Sequence, residues 1–428
     1  MPERADGERM YRLVEQLYPI CRSITGDGVR ATLDRIEREL GAPLERTELP
    51  TGTPVLDWTI PNEWNIRDAY VAAPDGRRVI DFRASNLHVV NYSVPVRAKL
   101  PLAELRPRLH GLPDHPDWIP YRTSYYAETW GFCAAQRVID ALPDAIYDVC
   151  IDATLAPGHL TYGELVLPGE SHDEILISTH VCHPSLCNDN LSSIAVATAL
   201  ARELAARPRR HTVRFVFAPG TIGAIAWLAQ HRDVVPRIRA GLTLTCLGDE
   251  SPFTYKRTIG GAARVDRAAE LVLRERGAGD HVIDFFPYGY DERQYNSPGF
   301  RAPVGSLMRG RHGQFPEYHT SADDLALVSA ERLAESLDVV RAIVDVIEAD
   351  RRYRNLAPDG EPQLGKRGLY RPTGGTSIPD LNLAMLWVLT LSDGTCSLVD
   401  IAERSAMPFA SIRGAAELLR DGGLLAAT

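Results

Sequence analysis

Residues 175–192 read Ile-Leu-Ile-Ser-Thr-His-Val-Cys-His-Pro-Ser-Leu-Cys-Asn-Asp-Asn-Leu-Ser, and this stretch decides how the rest of the chain is interpreted. It opens as a short apolar strand. Where the apolar residues stop, it presents His180, His183 and Asp189 together with two cysteines. Imidazole, thiolate and carboxylate groups are zinc ligands, and ligand sites in open α/β sheets lie beyond the carboxyl ends of strands. The stretch therefore predicts a strand that leads into a metal-binding loop.

Two other interpretations of this loop stay open. A histidine after a strand is often a hydrogen-bonded structural residue, because imidazole suits both roles. Cys182 and Cys187 could also form a small structural zinc site with one histidine, although the second cysteine pair that such sites usually contain is missing. A metal-assisted hydrolase needs a second cluster to complete the coordination shell. The sequence offers one at residues 316–321, Pro-Glu-Tyr-His-Thr-Ser.

Composition limits the class of protein. A chain of 428 residues predicts two or three domains, and 45% hydrophobic with 24% charged residues is typical of a soluble globular protein. The net charge of -9 and the pI near 5.8 argue against a general affinity for nucleic acid or anionic membranes. No signal peptide or membrane span is predicted, because the amino terminus is charged and apolar runs are short. Seven scattered cysteines favour a reducing, cytoplasmic location.

The order of apolar runs predicts the elements around this loop. Helical spacing of apolar residues predicts helices over residues 7–21 and 27–40, and residues 54–120 change to short apolar runs that predict an inserted β-rich module. From Tyr147 onward strands and helices alternate. The predicted strands are 163–167, 175–178, 213–218 and 241–247, and the predicted helices are 192–206, 222–230 and 330–349. Asn190-Leu-Ser-Ser has the composition of a helix N-cap, which would place Asp189 beside the positive end of the helix dipole.

Several motifs in this order resemble a known family. A strand followed by His-x-Cys, then Asp-Asn-x-Ser, and finally His-Thr-Ser-x-Asp before a long helix resembles the zinc aminopeptidases of clan MH. Five further motifs resemble, more closely, a bacterial aminopeptidase-like family that ends in a winged helix. They are Trp-Thr-Ile-Pro-x-Glu-Trp at 58–64, His-Val-Cys-His-Pro-Ser-Leu at 180–186, Thr-Cys-Leu-Gly-Asp at 245–249, Asp-Glu-Arg-Gln-Tyr at 291–295 and Ser-Leu-Met-Arg at 306–309.

The resemblance implies a fold, a set of domains and an activity. The expected fold is a three-layer α/β/α sandwich, formed by residues 1–53 and 121–350, with the inserted β-rich domain at 54–120. A linker at 351–379 and a winged-helix domain at 380–428 follow. The resemblance further implies hydrolysis of an amide bond next to a free amine in a small-molecule or short peptide-like substrate, with zinc as the cofactor.

Metal ligands carry over position by position. His180 matches the first metal histidine, Asp189 the carboxylate that bridges two metals in the peptidases, and His319 the last ligand. His183 and Asp249 are further candidate ligands. These groups predict one zinc ion and leave a second one open, and an unfilled coordination position would hold the water that the metal activates.

The chain also departs from the family pattern. Cys182 stands where the peptidases have an aspartate that orients the first histidine. Gly220 and Thr221 follow the strand at 213–218, where the peptidases have two adjacent glutamates, one a general base and one a ligand. The closer family keeps a glutamate at the first of these positions. Glycine cannot accept a proton, so hydrolysis is expected to be weak unless another carboxylate replaces the base.

Glu317 is the best replacement base by sequence, because it lies two residues before His319. Asp291 and Glu292 are the other candidate catalytic carboxylates, and the alternative for each is a solvated loop charge. The missing glutamate also leaves two other functions open. One is a repurposed biosynthetic enzyme for amide or acyl transfer, and the other is a non-catalytic binding or regulatory protein.

Arg293 and Arg309 are candidate groups for a substrate carboxylate, since a guanidinium can grip a carboxylate with two parallel hydrogen bonds. A salt bridge to a neighbouring acidic residue is the alternative. Tyr295 and Tyr318 are candidate walls of the substrate pocket, although tyrosine at a loop edge is also common core packing.

Three predicted helices followed by a strand-like end, over residues 381–427, indicate the winged helix. Its third helix carries Arg413 and Arg420 against Glu417 and Asp421. Affinity for DNA depends on phosphate contacts and needs a basic face. We therefore predict a packing or dimerisation module, which leaves a homo-oligomer open, rather than a DNA-binding one.

Overall fold

The computed structural model describes residues 2–369 and 380–428, so residues 370–379 of the predicted linker lie outside the described residues. The chain divides into two compact units. Unit 1 comprises Met1–Gly261 with His281–Asp338, and unit 2 comprises Ala262–Asp280 with Val339–Thr428. Within the described part of the chain, none of the helices combines the length and apolar character that a membrane span needs.

Unit 1 is built on an eight-stranded mixed sheet with the strand order β1-β10-β12-β11-β13-β16-β14-β15. Strands β11, β12, β13 and β16 run parallel, whereas β1 and β10 pair antiparallel with their neighbours, and β14 pairs antiparallel with β16 and parallel with β15. The strands are β1 (Glu45–Pro50), β10 (His159–Leu167), β11 (Ser171–His180), β12 (His211–Ala218), β13 (Ile238–Leu244), β14 (Thr254–Lys256), β15 (Val282–Ile283) and β16 (Val304–Met308).

The order of the parallel strands explains both the layers and the position of the site. From β11 the chain crosses to β12 on one side, and from β12 it crosses back past β11 to β13 on the other side. Because such crossovers are right-handed, the two connecting helices lie on opposite faces of the sheet, which gives three layers. The direction of winding reverses at β11. The crevice beyond its carboxyl end, which is His180, is therefore the expected ligand site of an open α/β sheet.

The central strands and helices form where the apolar pattern predicts them. Three predicted helices have the observed bounds at 27–40, 222–230 and 330–349, and Ile175, Leu176 and Ile177 are fully buried because helices cover both faces of the sheet. The helices are α1 (Pro2–Leu17), α2 (Asp27–Leu40), α3 (Leu102–Leu105), α4 (Gln136–Asp140), α5 (Ser193–Ala205), α6 (Ile222–Gln230), α7 (Arg264–Glu275), α8 (Glu292–Tyr295), α9 (Ala330–Ala349), α10 (Asp380–Leu391), α11 (Leu398–Ser405) and α12 (Phe409–Asp421).

The predicted N-cap of α5 is wrong. A separate helical turn, Cys187–Ser192, precedes the helix, and no side chain caps the first turn. The Ser192 hydroxyl instead donates to the carbonyl of Asn188 and accepts from the amide of Leu247. Asp189 therefore lies inside the turn and not at the helix end, so other groups must stabilise its charge.

A second sheet of four strands, ordered β5-β4-β9-β6, accounts for the β-rich pattern. Its strands are β4 (Glu63–Ala72), β5 (Arg78–Asp81), β6 (Val96–Pro101) and β9 (Ile146–Ala156), and β9 lies beyond the 54–120 limits predicted for the insert. Two short ladders complete this region, β2 (Pro54–Val55) with β3 (Trp58–Thr59) and β7 (Leu109–His110) with β8 (Phe132–Cys133).

Unit 2 contains the winged-helix elements. Helices α10, α11 and α12 are accompanied by a three-stranded sheet of β17 (Arg352–Asn355), β18 (Asp393–Ser397) and β19 (Leu425–Ala427). Strand β17 lies inside the predicted linker and pairs with both other strands, and the buried Tyr353 anchors it. The chain between residues 351 and 355 is therefore part of this sheet and not a linker.

Candidate metal centre

Three elements bring the first cluster together. His180 is the last residue of β11, His183 follows in the next turn, and Asp189 lies in the helical turn before α5. His319 comes from a loop 130 residues further along the chain. The sequence-predicted residues His180, His183, Asp189 and His319 thus meet at the carboxyl edge of the sheet.

Asp189 is the centre of this cluster. Its Oδ1 lies 2.9 Å from His180 Nε2, and its Oδ2 lies 3.0 Å from His319 Nε2 and 3.2 Å from His183 Nδ1. Two ligand atoms on a tetrahedral zinc ion with bonds of 2.0–2.1 Å are about 3.3 Å apart. The separations and the donor types therefore fit a zinc ion that replaces the direct contacts between these groups.

Charge is concentrated on this carboxylate. Burial opposes its ionised form, but the positive ring of His183 and hydrogen bonds from the three histidines outweigh burial and hold the pKa of Asp189 well below its usual range. The pKa of His183 is well above its usual value, because Asp189 and Cys182 outweigh the effect of burial. Burial lowers the pKa of His180 to about 4. One imidazolium thus neutralises the carboxylate, and a divalent cation could take that role.

Groups around the cluster hold its members in place. The Asn190 side-chain amide lies 3.1 Å from His180 Nδ1 and donates to Thr179 Oγ1 at 2.8 Å. The carboxylate of Asp323, which is fully buried, accepts from the backbone amides of Asn188 and Asp189. Burial raises the pKa of Asp323 to about 8. These contacts fix the turn that carries Asp189.

Cys182 does not replace the aspartate that the resemblance places behind the first histidine. Its sulfur lies 3.3 Å from the Tyr290 hydroxyl and 3.7 Å from the Gly220 carbonyl oxygen. It is Asn190 that contacts the second nitrogen of His180. Among the described residues, neither Cys182 nor Cys187 belongs to a group of side chains that could hold a metal.

Sequence reasoning missed a second set of candidate ligands. Asp189, Cys246 and His312 are buried, and their ligand atoms all lie within 4.8 Å of one another. Cys246 follows strand β13 and His312 follows strand β16, so both occupy the same edge of the sheet as His180. The rule that ligands follow parallel strands could have identified them, because these strands are neighbours. Asp189 is common to both sets.

Asp249 and Glu292 are engaged elsewhere. Asp249 accepts from the Ser251 hydroxyl at 2.8 Å and from the Gly310 amide at 3.3 Å, and it belongs to neither candidate ligand set. Glu292 forms an ion pair with Lys256, and both side chains are buried. Glu292 is therefore a structural anion.

Asp291 is the carboxylate that the structure leaves available. Its side chain is 3% exposed, and its Oδ1 makes no hydrogen bond within the described part of the chain. Burial raises its pKa well above the usual range, while His183 and Arg293 lower it. Glu317, the replacement base favoured by sequence, is only half-buried, and its backbone carbonyl accepts from Thr320.

The candidate substrate-binding residues separate into two groups. Arg309 is buried and hydrogen-bonded to Ser336, the Ser251 carbonyl and Glu335, so its guanidinium joins helix α9 to the loop at Ser251. Tyr295 is also buried, and its hydroxyl lies 3.0 Å from the Ser178 hydroxyl. Arg293 is exposed. Tyr318 does lie at the cluster, where its ring stacks on His319 at 3.9 Å.

Gly220 lies against an aromatic ring. A Cβ atom at this position would lie 2.6 Å from Cζ and 2.8 Å from Cδ1 of Tyr290, and closer still to Cε1. The Tyr290 ring covers His180 with ring centroids 4.0 Å apart, and its hydroxyl lies 3.3 Å from His183 Nε2. A phenol therefore fills the space in which a side chain at residue 220 would begin.

The layered sheet and the ligand crevice define the class of protein, an α/β protein with the zinc-aminopeptidase fold. A zinc aminopeptidase from Bacillus subtilis superposes with a TM-score of 0.56 over 79% of this chain and 94% of its own, at 15% identity. A family M28 peptidase precursor from Shewanella amazonensis gives 0.55 over 81% and 96%, at 13% identity. At these identities the likeness concerns the fold alone.

The chain belongs to the family described as a domain of unknown function, DUF4910, whose model matches residues 11–350. A winged helix-turn-helix model matches residues 351–427, which confirms the predicted winged helix and includes strand β17. The resemblance to an aminopeptidase-like family with a winged helix is thus confirmed, as is the α/β fold class.

Similarity to Clostridium acetobutylicum extends over nearly the whole chain. A sequence from that organism is 50% identical over 96% of this chain and 95% of its own length, and it bears the provisional name of a polysaccharide biosynthesis protein with an aminopeptidase-like domain. A crystal structure from the same organism has the provisional name of a peptidase. It has a TM-score of 0.95 and 48% identity and covers 100% of this chain and 97% of that one.

Proposed function

We propose that this protein is a zinc-dependent, aminopeptidase-like hydrolase that cleaves an amide bond next to a free amine. The observation that carries the proposal is the buried Asp189 carboxylate in contact with three histidines. His180, His183, Asp189 and His319 would hold the zinc ion. When bound there, zinc would polarise a substrate carbonyl and lower the pKa of a water molecule.

The remaining steps belong to the chain's own side chains. Asp291 is proposed to bind the substrate amine, because its buried carboxylate has an oxygen without a hydrogen-bond partner within the described part of the chain. An ammonium group placed there would compensate the desolvation of that carboxylate. Tyr318 and Tyr121, whose rings contact His319, would form the apolar walls.

The proposed centre has few side chains that can accept a proton. Gly220 carries no acceptor, Glu292 is neutralised by Lys256, and Glu317 lies in the loop just before His319. General base assistance contributes about 10²- to 10⁴-fold in rate. We therefore expect slow hydrolysis of ordinary peptides, with Glu317 as the residual base.

A second candidate function is acyl or amide transfer, in which a substrate amine replaces water as the nucleophile. The replacement of a base at residue 220 by the Tyr290 phenol favours it, since a phenol is a hydrogen-bond donor at neutral pH and not an acceptor of protons. The name of the Clostridium acetobutylicum relative is consistent with a biosynthetic role in this family.

Aminoacyl anilides and metal analysis distinguish the two functions. We expect zinc in the purified protein and a slow release of the aniline that stops on chelation and returns with zinc. The matched control is Asp249→Asn, a buried aspartate outside both ligand sets, which should keep zinc and turnover. Bound zinc without turnover would contradict hydrolysis and favour transfer. A protein that binds no zinc would contradict both.

We further propose that the catalytic function lies within residues 1–53 and 121–350, that the winged-helix module includes β17, and that the protein is cytoplasmic. The winged helix pairs its own charges, Arg413 with Glu417 and Arg420 with Asp421, so we propose packing or dimerisation as its role.

The number of zinc ions depends on the two ligand sets. One ion would bind at His180, His183 and His319, and a second would bind if Cys246 and His312 are also ligands.

A further inference from the structure

The ring of Tyr290 fills the space beside Gly220, next to the histidine cluster. The ring of Tyr290 lies where a Cβ at residue 220 would have to be, with the hypothetical atom under 3 Å from three ring carbons. Real Cβ atoms do not approach aromatic carbons so closely, because the repulsion is steep. A side chain at residue 220 and the present position of Tyr290 are therefore mutually exclusive.

The position of Tyr290 matters to the proposed ligands. Its ring lies 4.0 Å from the ring of His180, and its hydroxyl is 3.3 Å from each of His183 Nε2, Cys182 Sγ and the Gly220 carbonyl oxygen. One residue thus contacts two candidate ligands of the first set. A group that accepts a hydrogen bond from the second nitrogen of a ligating histidine, or that packs on its ring, sets the orientation of that ligand.

The loop that carries Tyr290 is held independently of the cluster. The backbone amide of Tyr290 donates to both carboxylate oxygens of Glu292, at 3.2 and 3.0 Å. Lys256 pairs with the same carboxylate and donates to the carbonyls of Phe286 and Tyr288, at 3.1 and 2.9 Å. Because this buried ion pair fixes the loop, Tyr290 cannot easily swing away to admit a side chain at residue 220.

We propose that Tyr290 is a positioning residue for the metal-binding histidines and that Gly220 is the partner its ring requires. The pair explains why this chain lacks a side chain at residue 220, where the resemblance places a glutamate. The inference rests on the proposed metal centre, but the steric pairing of the two residues does not. The pairing also affects how Gly220→Glu is interpreted. That substitution alone would displace the Tyr290 ring before the new glutamate could act as a base.

The test is a double-mutant cycle read by zinc affinity and by the visible spectrum of bound cobalt(II). Gly220→Ala should weaken zinc binding at least tenfold in the presence of Tyr290, in the range found for groups that support metal ligands. In the Tyr290→Ala background the same change should alter affinity less than twofold, because the ring is gone. Equal factors in the two backgrounds, or no effect of Gly220→Ala alone, would overturn the pairing.

Conservative variants distinguish the contribution of the Tyr290 ring from that of its hydroxyl. Tyr290→Phe keeps the ring on His180 and removes the contact with His183, so the cobalt spectrum should shift while the sensitivity to Gly220→Ala persists. Tyr295→Phe is the matched control, because its hydroxyl contacts Ser178 and not the cluster. An unchanged spectrum in Tyr290→Phe would contradict the role of the Tyr290 hydroxyl in positioning His183.

Thermal unfolding tests this inference separately from the proposed function. The four proteins are those of the double-mutant cycle: the unmodified protein, Gly220→Ala, Tyr290→Ala and the double variant. If the unmodified protein binds neither zinc nor cobalt, the metal centre is refuted. The steric pair is then still tested, because Gly220→Ala should lower the unfolding temperature far more with Tyr290 present than with alanine at residue 290. If Gly220→Ala is insoluble, recovery of soluble protein in the double variant supports the pairing, and continued insolubility overturns it.

Discussion

Replacing Lys256 by methionine is expected to destabilise unit 1 and to loosen the loop that carries Tyr290. The Lys256 side chain is 3% exposed and the Glu292 side chain is 1% exposed, so water screens neither charge. Methionine preserves most of the apolar stem but removes the ammonium group. Glu292 then remains buried as an anion without its cation, and the carbonyls of Phe286 and Tyr288 lose a donor.

The size of the effect follows from the burial of the pair. Removing one partner of a buried ion pair typically destabilises a protein by about 3–5 kcal/mol, because the remaining charge is uncompensated. At about 2 °C per kcal/mol for a unit of this size, the unfolding temperature should fall by about 6 °C or more. The double variant Lys256→Met with Glu292→Leu should recover most of the loss, because an apolar pair of similar volume leaves no buried charge.

Differential scanning calorimetry of the single and double variants measures this directly. The control is Asp152→Asn, which breaks the surface pair with Arg67 and should leave the unfolding temperature unchanged. Proteolysis after Phe286 or Tyr288 should become faster in Lys256→Met. A single variant as stable as the unmodified protein would refute the assignment of Glu292 as a structural anion and return it to the list of candidate catalytic groups.

Three further outcomes are expected. Zinc affinity should fall by up to about tenfold for each pH unit below neutrality, because Asp189 raises the pKa of His183 and the proton competes with the metal for its ring; competition titrations that show no pH dependence would contradict this. Glu164→Gln should lower stability by about 1–3 kcal/mol in urea unfolding, because the buried Arg214 loses one of its two carboxylate partners and keeps only Glu174. It should also reduce the loss of stability below about pH 4, because the lowered pKa of Glu164 contributes to that loss; an unchanged dependence of stability on acid pH would contradict the pairing. The full chain should show no salt-dependent retention on duplex DNA, and retention that weakens steeply with salt would refute the proposed role of the winged helix.

Local sequence patterns predicted much of unit 1 because the central helices and strands have strong, consistent periodicity. The bounds of α2, α6 and α9 match the predictions, and β11 contains the predicted strand 175–178 but extends from Ser171 to His180. The same pattern could not place β9 in the second sheet, since pairing between strands far apart in sequence leaves no local signal. The strand β17 was hidden for the same reason, within a stretch rich in proline, glycine and arginine.

At the site, the sequence predicted residues that follow parallel strands. It did not predict contacts between residues that are distant in the chain. His180, Asp189 and His319 meet as the motifs predict, and Cys246 and His312 obey the same rule at the neighbouring strands. In contrast, the hydrogen bonds of Arg309, the pairing of Glu292 and the fit between Gly220 and Tyr290 depend on distant parts of the chain. The sequence indicated a gap at residue 220, but only the fold shows that a tyrosine fills it.

The zinc content of the purified protein and of its Asp189→Asn variant is the most direct test of the metal centre. Elemental analysis with equilibrium binding should find tight zinc in the unmodified protein. Zinc should be absent from Asp189→Asn, in which a neutral amide replaces the carboxylate that contacts all three histidines. An unmodified protein without affinity for zinc, or a variant that binds zinc equally well, would contradict the assignment.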